Sequence, residues 1–227
     1  MLSIRSPKTG RVLKRKCARP AKKTDMKLYL NKTSPYARVA RVCALEKQLG
    51  AKVSLKWVDP WADDAELLAV NPNGKIPVLV TEAGEAISES LLIALYLDGR
   101  SAVGSLVPTP DQANVLALAG LGQGLTDAAF TTVISRKHLG PDSDSTVLGQ
   151  RRHNALSRCL EQLEGLVETD VMQAGINLGQ IVTAVALSYM EFRLPEVRWH
   201  QQCPRLAEWL AVFAERASMK ETSFPAP

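Results

Sequence analysis

Three short stretches of this chain carry groups suited to an anionic or peptide-like ligand: Ser34-Pro35, Lys75-Ile76-Pro77 and Glu89-Ser90. Ser34 stands just ahead of Pro35 at the start of a helix-periodic run, the arrangement of an N-cap followed by proline at N1. A hydroxyl donor there, beside unpaired N–H groups and the positive end of a helix, stabilises an anion. In the second stretch, Asn71-Pro72-Asn73-Gly74 reads as a turn leading into the β-type run Val78-Leu79-Val80. Pro77 has no N–H, which suits the first residue of a strand or a turn with a cis bond. Ile76 is held extended by the proline after it, so its own N–H and C=O are left to pair with something other than the sheet. In the third, a hairpin through Glu82-Ala83-Gly84-Glu85 returns to Ile87, and Ser88-Glu89-Ser90 opens a helix. That helix start is a seat for a carboxylate.

The order Asn-Pro-x-Gly-Lys-x-Pro, a short hairpin, then Ile-x-Glu-Ser and a helix resembles the glutathione site of glutathione S-transferases. The resemblance implies that Ile76, ahead of a cis Pro77, pairs through its backbone with the cysteinyl unit of glutathione. It implies that Glu89 and Ser90 hold the γ-glutamyl end, and that Lys75 lies near the tripeptide as in theta-like members. It extends over nearly everything after Met26: the segments GLTDAA (124–129), YMEFRLP (189–195), PRLAEWL (204–210) and RASMKETSFP (216–225) are similar to bacterial members. In SPYAR, Ser34 falls where omega-like and glutaredoxin-like members carry a reactive cysteine. A serine there argues against thiol–disulfide exchange, which needs a sulfur nucleophile.

The resemblance further implies a glutathione transferase, with glutathione as cosubstrate and no metal. Its thiolate would attack a small hydrophobic electrophile, and two copies would form a homodimer. A free thiol is only roughly a few per cent thiolate at pH 7, so the site must stabilise the anion, and Ser34 is the candidate catalytic donor. Thr33 is the rival donor, and Ser34 as a helix cap alone stays open. Tyr36 falls on the buried face of its helix and reads as core. Lys32, Arg38 and Arg41 are positioned either to help hold an anionic ligand or to be solvated charges. Dehalogenation or isomerisation with glutathione would use the same site. A non-catalytic binding or regulatory module on the same fold is a different class of reading.

The elements that must position these residues are legible in the periodicity. Lys27–Asn31 reads as a first strand. Tyr36, Val39, Ala40, Cys43 and Ala44 recur at helical spacing, with Arg38, Arg41 and Lys47 off that face and Gly50 as the stop. Val53, Leu55 and Trp57 alternate as a second strand, and a short helix falls between Pro60 and Val70. The expected order βαβ-α-ββα is thioredoxin-like, an α/β fold. Beyond it the pattern is helical, with helices predicted over 111–138, 147–171, 178–192 and 204–217. Asn177 and Gln180 form a capping box at the third of these. Gly120, Gly122 and Gly124 inside the first would either allow close approach of another helix or a ligand or mark a bend in the helix. The predicted organisation is a basic extension (1–25), a thioredoxin-like glutathione-binding domain (26–101), a linker (102–110) and an all-α bundle (111–227).

Composition excludes little but orders the alternatives. The chain has 227 residues, is 46% hydrophobic and 22% charged, and holds no apolar run long enough to span a membrane. Its four cysteines and three histidines show no metal-type spacing, and a reducing cytoplasm is the expected location. The net charge of +5 arises in residues 1–25, which carry +8 against −3 for the remainder. That tail reads as a disordered stretch ahead of Met26 as the working start, with a nucleic-acid arm or a presequence as the other readings. No recognition motif accompanies it, so nucleic acid is not an expected partner.

Overall fold

The computed structural model describes residues 25–226, so the basic extension, Asp25 apart, lies outside the described residues. β1 (Met26–Leu30) alternates: Leu28 and Leu30 enter one apolar cluster and Tyr29 another. α1 (Pro35–Glu46) leads to β2 (Val53–Trp57), which pairs parallel with β1. α2 (Ala65–Val70) precedes β3 (Val78–Val80), antiparallel to β1. β4 (Ala86–Ser88) returns against β3, and α3 (Ser90–Gly99) comes next. The sheet order is β2-β1-β3-β4, and the chain order is the thioredoxin-like βαβ-α-ββα. Val39, Ala40 and Cys43 of α1 join Ile93, Ala94 and Leu97 of α3 on the Leu28–Leu79 side of the sheet. Leu67 of α2 joins Tyr29 and Val78 on the other.

Several expectations change in detail. β1 ends at Leu30 because the Asn31 side chain folds onto the backbone, accepting from the N–H groups of Thr33 (3.1 Å) and Ser34 (2.8 Å). α1 ends at Glu46, with Gln48 at φ 55°, so the reversal precedes Gly50. β2 is an edge strand, and Leu55 and Trp57 are exposed although their alternation suggests a buried face. Arg38 and Lys47, expected at the surface, are buried. Arg38 Nη2 donates to the Met219 carbonyl (3.1 Å) and its Nε to Thr222 Oγ1 (3.3 Å). Lys47 Nζ meets Asp98 Oδ1 at 2.8 Å and donates to the carbonyls of Val103 (2.6 Å) and Gly104 (2.8 Å).

The rest is helical: α4 (Gln112–Leu139), α5 (Val147–Leu166), α6 (Asp170–Gln173), α7 (Leu178–Arg193), α8 (Trp199–Gln202), α9 (Pro204–Ala214) and α10 (Ala217–Glu221). The predicted helix over 147–171 is thus interrupted between α5 and α6, and that over 204–217 ends at Ala214 before α10. α7 is buried almost all round and is the axis of the bundle. Its capping box is present: Gln180 N–H donates to Asn177 Oδ1 (2.9 Å) and Asn177 N–H to Gln180 Oε1 (3.3 Å).

The glycines of α4 separate. A Cβ on Gly122 would sit 2.9 Å from the backbone nitrogen of Thr183 in α7, whereas nothing lies within 4 Å of one on Gly120 or Gly124. Close approach therefore accounts for Gly122 alone. Gly122→Val should destabilise the fold by about 1–3 kcal/mol through overpacking. Gly124→Ala should be neutral or stabilising by up to about 1 kcal/mol through helix propensity. Urea denaturation of both variants reads the contrast, and equal effects would refute the close-approach account.

Candidate functional site

The sheet register gathers the predicted residues at one edge. Tyr29 pairs with Val78 and Val78 with Ser88, so the end of β1, the start of β3 and the end of β4 lie side by side. Ser34 follows the first, Ile76 and Pro77 precede the second, and Glu89 and Ser90 follow the third. Two interstrand steps of about 4.8 Å separate the outer two chain ends, about 10 Å in all. That is the span of an extended tripeptide.

Each stretch presents unengaged polar groups. Ser34 caps α1, its Oγ accepting from Ala37 N–H at 3.2 Å. No acceptor for its proton stands among the described residues, so the hydroxyl can donate outward while capping. The Ile76–Pro77 bond is cis. Neither the N–H nor the C=O of Ile76 has a hydrogen-bond partner among the described residues. Asn71 Nδ2 donates to the Lys75 carbonyl (2.8 Å), shaping the turn, and Lys75 itself is exposed. Ser90 is 3% exposed, and nothing among the described residues bonds its hydroxyl. Glu89, with φ 71° and ψ 120°, holds a left-handed backbone that non-glycine residues seldom adopt and makes no side-chain cap on α3. The first-turn N–H groups of α3 are thereby without a side-chain cap.

Thr33 lies half-buried beside Ser34, its N–H bound to Asn31. Tyr36 is not simply core. It is half-buried, packs edge-on against Phe130 (5.4 Å between centroids) and donates its hydroxyl to Asp127 Oδ1 at 2.7 Å. Burial first, then the Asp127 carboxylate, and more weakly Tyr189 and Glu89, push this phenol far above its ordinary pKa. Tyr36 therefore stays neutral with its proton committed. It ties α1 to α4 and cannot serve as an outward donor, which leaves Ser34 and Thr33 as the hydroxyls at this helix start.

Sequence reasoning missed three contributors. Asn31 shapes the loop into Ser34. Asp127 was visible only as part of a similar segment, not as the partner of Tyr36. Residues 221–226 fold back to line a cleft of about 510 Å³ that also touches Asn31, Ser34 and Trp57. Only the family resemblance of that terminal segment hinted at it. Among the described residues, no group of three or more His, Cys, Asp or Glu could hold a metal ion, and no helix is long and apolar enough to cross a membrane.

A four-stranded thioredoxin-like sheet with a helical bundle, a helix-capping serine after β1 and a cis-proline before β3 define the class of fold. Known proteins narrow the class. Residues 33–100 match the family described as glutathione S-transferase, N-terminal domain. The uncharacterized GST-like protein YibF of Escherichia coli is 30% identical over 88% of this chain and 99% of its own length. A glutathione S-transferase structure from Methylobacillus flagellatus, solved with glutathione bound, is 33% identical at TM-score 0.80, covering 88% of this chain and 99% of that one. A glutathione transferase family member from Pseudomonas fluorescens, also with bound glutathione, is 28% identical at TM-score 0.80, over 89% and 100%. The chain belongs to the glutathione S-transferase family.

Proposed function

We propose that this protein is a glutathione transferase in which Ser34 stabilises the thiolate of glutathione for attack on a small electrophile. The observation that carries the reading is the Ser34 hydroxyl, which caps α1 yet keeps its proton for a partner outside the fold. Ile76 would meet the cysteinyl backbone through its unpaired N–H and C=O. Ser90 and the first turn of α3 would hold the γ-glutamyl carboxylate, with Glu89 and Lys75 flanking. The unusual backbone of Glu89, a strain of about 1–3 kcal/mol, is of the kind that functional sites retain. The residues present therefore fit a tripeptide thiol, and the bound glutathione seen in the two solved relatives agrees with that fit.

With an aryl halide the balance is simple: the thiol proton goes to solvent, a C–S bond forms, the C–halogen bond breaks and halide leaves. Ser34 donates to sulfur throughout and takes no proton. A cytoplasmic homodimer is part of this reading, and Leu92 and Leu95, exposed on α3, offer apolar surface for a second copy.

Retention on immobilised glutathione followed by assay with 1-chloro-2,4-dinitrobenzene tests the reading. Retention and turnover are expected, while retention without turnover would indicate a binding module. For the γ-glutamyl seat, Ser90→Ala should weaken glutathione by about 1–2 kcal/mol, a hydrogen bond's worth, with little change in thermal stability. Unchanged affinity with a lower melting temperature would make Ser90 a structural residue only.

A further inference from the structure

Ser34 lines a cleft that none of Lys75, Ile76, Pro77, Glu89 or Ser90 lines. Its charged lining is Lys32, Arg38 and Arg41 against one acid, Glu221. Arg38 is spent. Its guanidinium binds Thr222 and the Met219 carbonyl and lies 4.6 Å from the Phe224 ring centroid, and Glu191 bears on it from α7. Phe224 stacks on Phe192 at 5.0 Å, so Arg38 and Phe192 hold the tail that walls the cleft.

Arg41 is different. Its side chain is 19% exposed, yet it makes no hydrogen bond among the described residues. Glu221 stands 3.8 Å away, beyond hydrogen-bond reach, and is mostly solvated. Burial pulls the Arg41 guanidinium below its ordinary range, with Glu221 only partly opposing. Lys32 has no acidic partner among the described residues. Arg41 and Lys32 both approach the Trp57 ring, at 5.6 and 5.9 Å from its centroid. A half-buried guanidinium held only by a long ion pair to Glu221, next to a second cation and an exposed indole, is a site suited to one planar anion.

We propose that this cleft selects the electrophile: an aromatic substrate bearing a carboxylate, its acid group between Arg41 and Lys32 and its ring beside Trp57. The inference rests on the transferase reading for its chemistry but not for the anion site. In the reaction the thiolate displaces a ring halide, forming the C–S bond and releasing halide, and the carboxylate takes no part in bond making.

The test begins with binding. 4-Nitrobenzoate and its neutral counterpart nitrobenzene are titrated into the glutathione-loaded full chain and followed by tryptophan fluorescence and calorimetry. The wild type should prefer the acid, and raising salt from about 50 to about 500 mM should erode that preference. Arg41→Gln and Lys32→Gln should each weaken 4-nitrobenzoate by about tenfold relative to nitrobenzene. Lys32 is exposed in a loop, so its variant remains informative if Arg41→Gln fails to fold. In turnover, the ratio of kcat/KM for 4-chloro-3-nitrobenzoate to that for 1-chloro-2,4-dinitrobenzene should fall by about tenfold in both variants. No preference for the acid, or equal nitrobenzoate affinity in the variants, overturns the proposal. So does a loss confined to glutathione affinity, which would assign the cations to the tripeptide's own carboxylate. Failure to conjugate 1-chloro-2,4-dinitrobenzene would sink the transferase reading, while nitrobenzoate binding still decides the cleft.

Discussion

Asp98→Ala should destabilise the protein by about 3–5 kcal/mol, the largest effect expected of a single polar substitution here. Lys47 is 1% exposed and sits at the end of α1, where it joins α3 through Asp98 and the following segment through the Val103 and Gly104 carbonyls. Asp98 in turn accepts from Leu106 N–H and the Ser105 hydroxyl, both at 2.7 Å. Removing the carboxylate strands a buried ammonium and two further donors together. Replacing both partners by apolar residues, Lys47→Met with Asp98→Leu, should recover much of the loss, because the penalty is the uncompensated charge rather than the missing attraction. Urea denaturation of the two singles and the double reads the coupling.

The same pair sets an acid limit. Burial raises the Asp98 carboxyl, but Lys47, the Leu106 N–H and the Ser105 hydroxyl together bring it below its ordinary value. A carboxyl depressed in the folded state stabilises at pH above its unfolded value of about 3.9, and that contribution is lost as pH falls through the folded value. Stability should therefore decline below about pH 4, and Asp98→Asn should lack that part of the decline. Identical acid limbs in wild type and Asp98→Asn would show that the pair has no part in it.

The contrast between Ser34 and Lys47 shows what the sequence could tell. Ser34-Pro35, Ile76-Pro77 and Asn177-x-x-Gln180 are local backbone chemistry: caps, extended dipeptides and turns are written within four residues. The meeting of three chain ends at one end of the sheet is not local in this way: it follows from the pairing of β1 with β3 and of β3 with β4. Lys47 and Arg38 escape such a reading because their partners lie 51 to 184 positions away along the chain. Helical spacing alone marks them as polar positions on a surface face. For Leu55 and Trp57 the period is right, but an edge strand and a central one share it, and only pairing shows which is which. Tyr36 has the expected face and a different role, since the acceptor that commits its proton, Asp127, comes from α4.

Ser34→Ala should slow conjugation about ten- to a hundredfold near neutral pH. A hydrogen bond to a charged group contributes about 1.5–3 kcal/mol, or roughly one to two pKa units on the bound thiol. Losing the Ser34 donor should raise that pKa by the same amount and reduce the thiolate fraction at pH 7. Glutathione affinity measured below the pKa should change little, because a neutral thiol needs the donor less. Raising the pH should restore part of the lost rate as the thiol ionises without help. The variant also loses the cap made to Ala37 N–H. Its stability should fall by about 0.5–2 kcal/mol, so rates are compared at a temperature where both proteins are fully folded. Ser34→Gly separates the two roles, since glycine keeps most of the capping preference but supplies no donor. It should match Ser34→Ala in rate and exceed it in stability. Thr33→Ala, measured beside them across pH at saturating glutathione, should keep the wild-type profile. If Ser34→Ala retains full rate and the wild-type pH profile, the hydroxyl serves α1 alone. A loss confined to Thr33→Ala would move the donor one residue upstream.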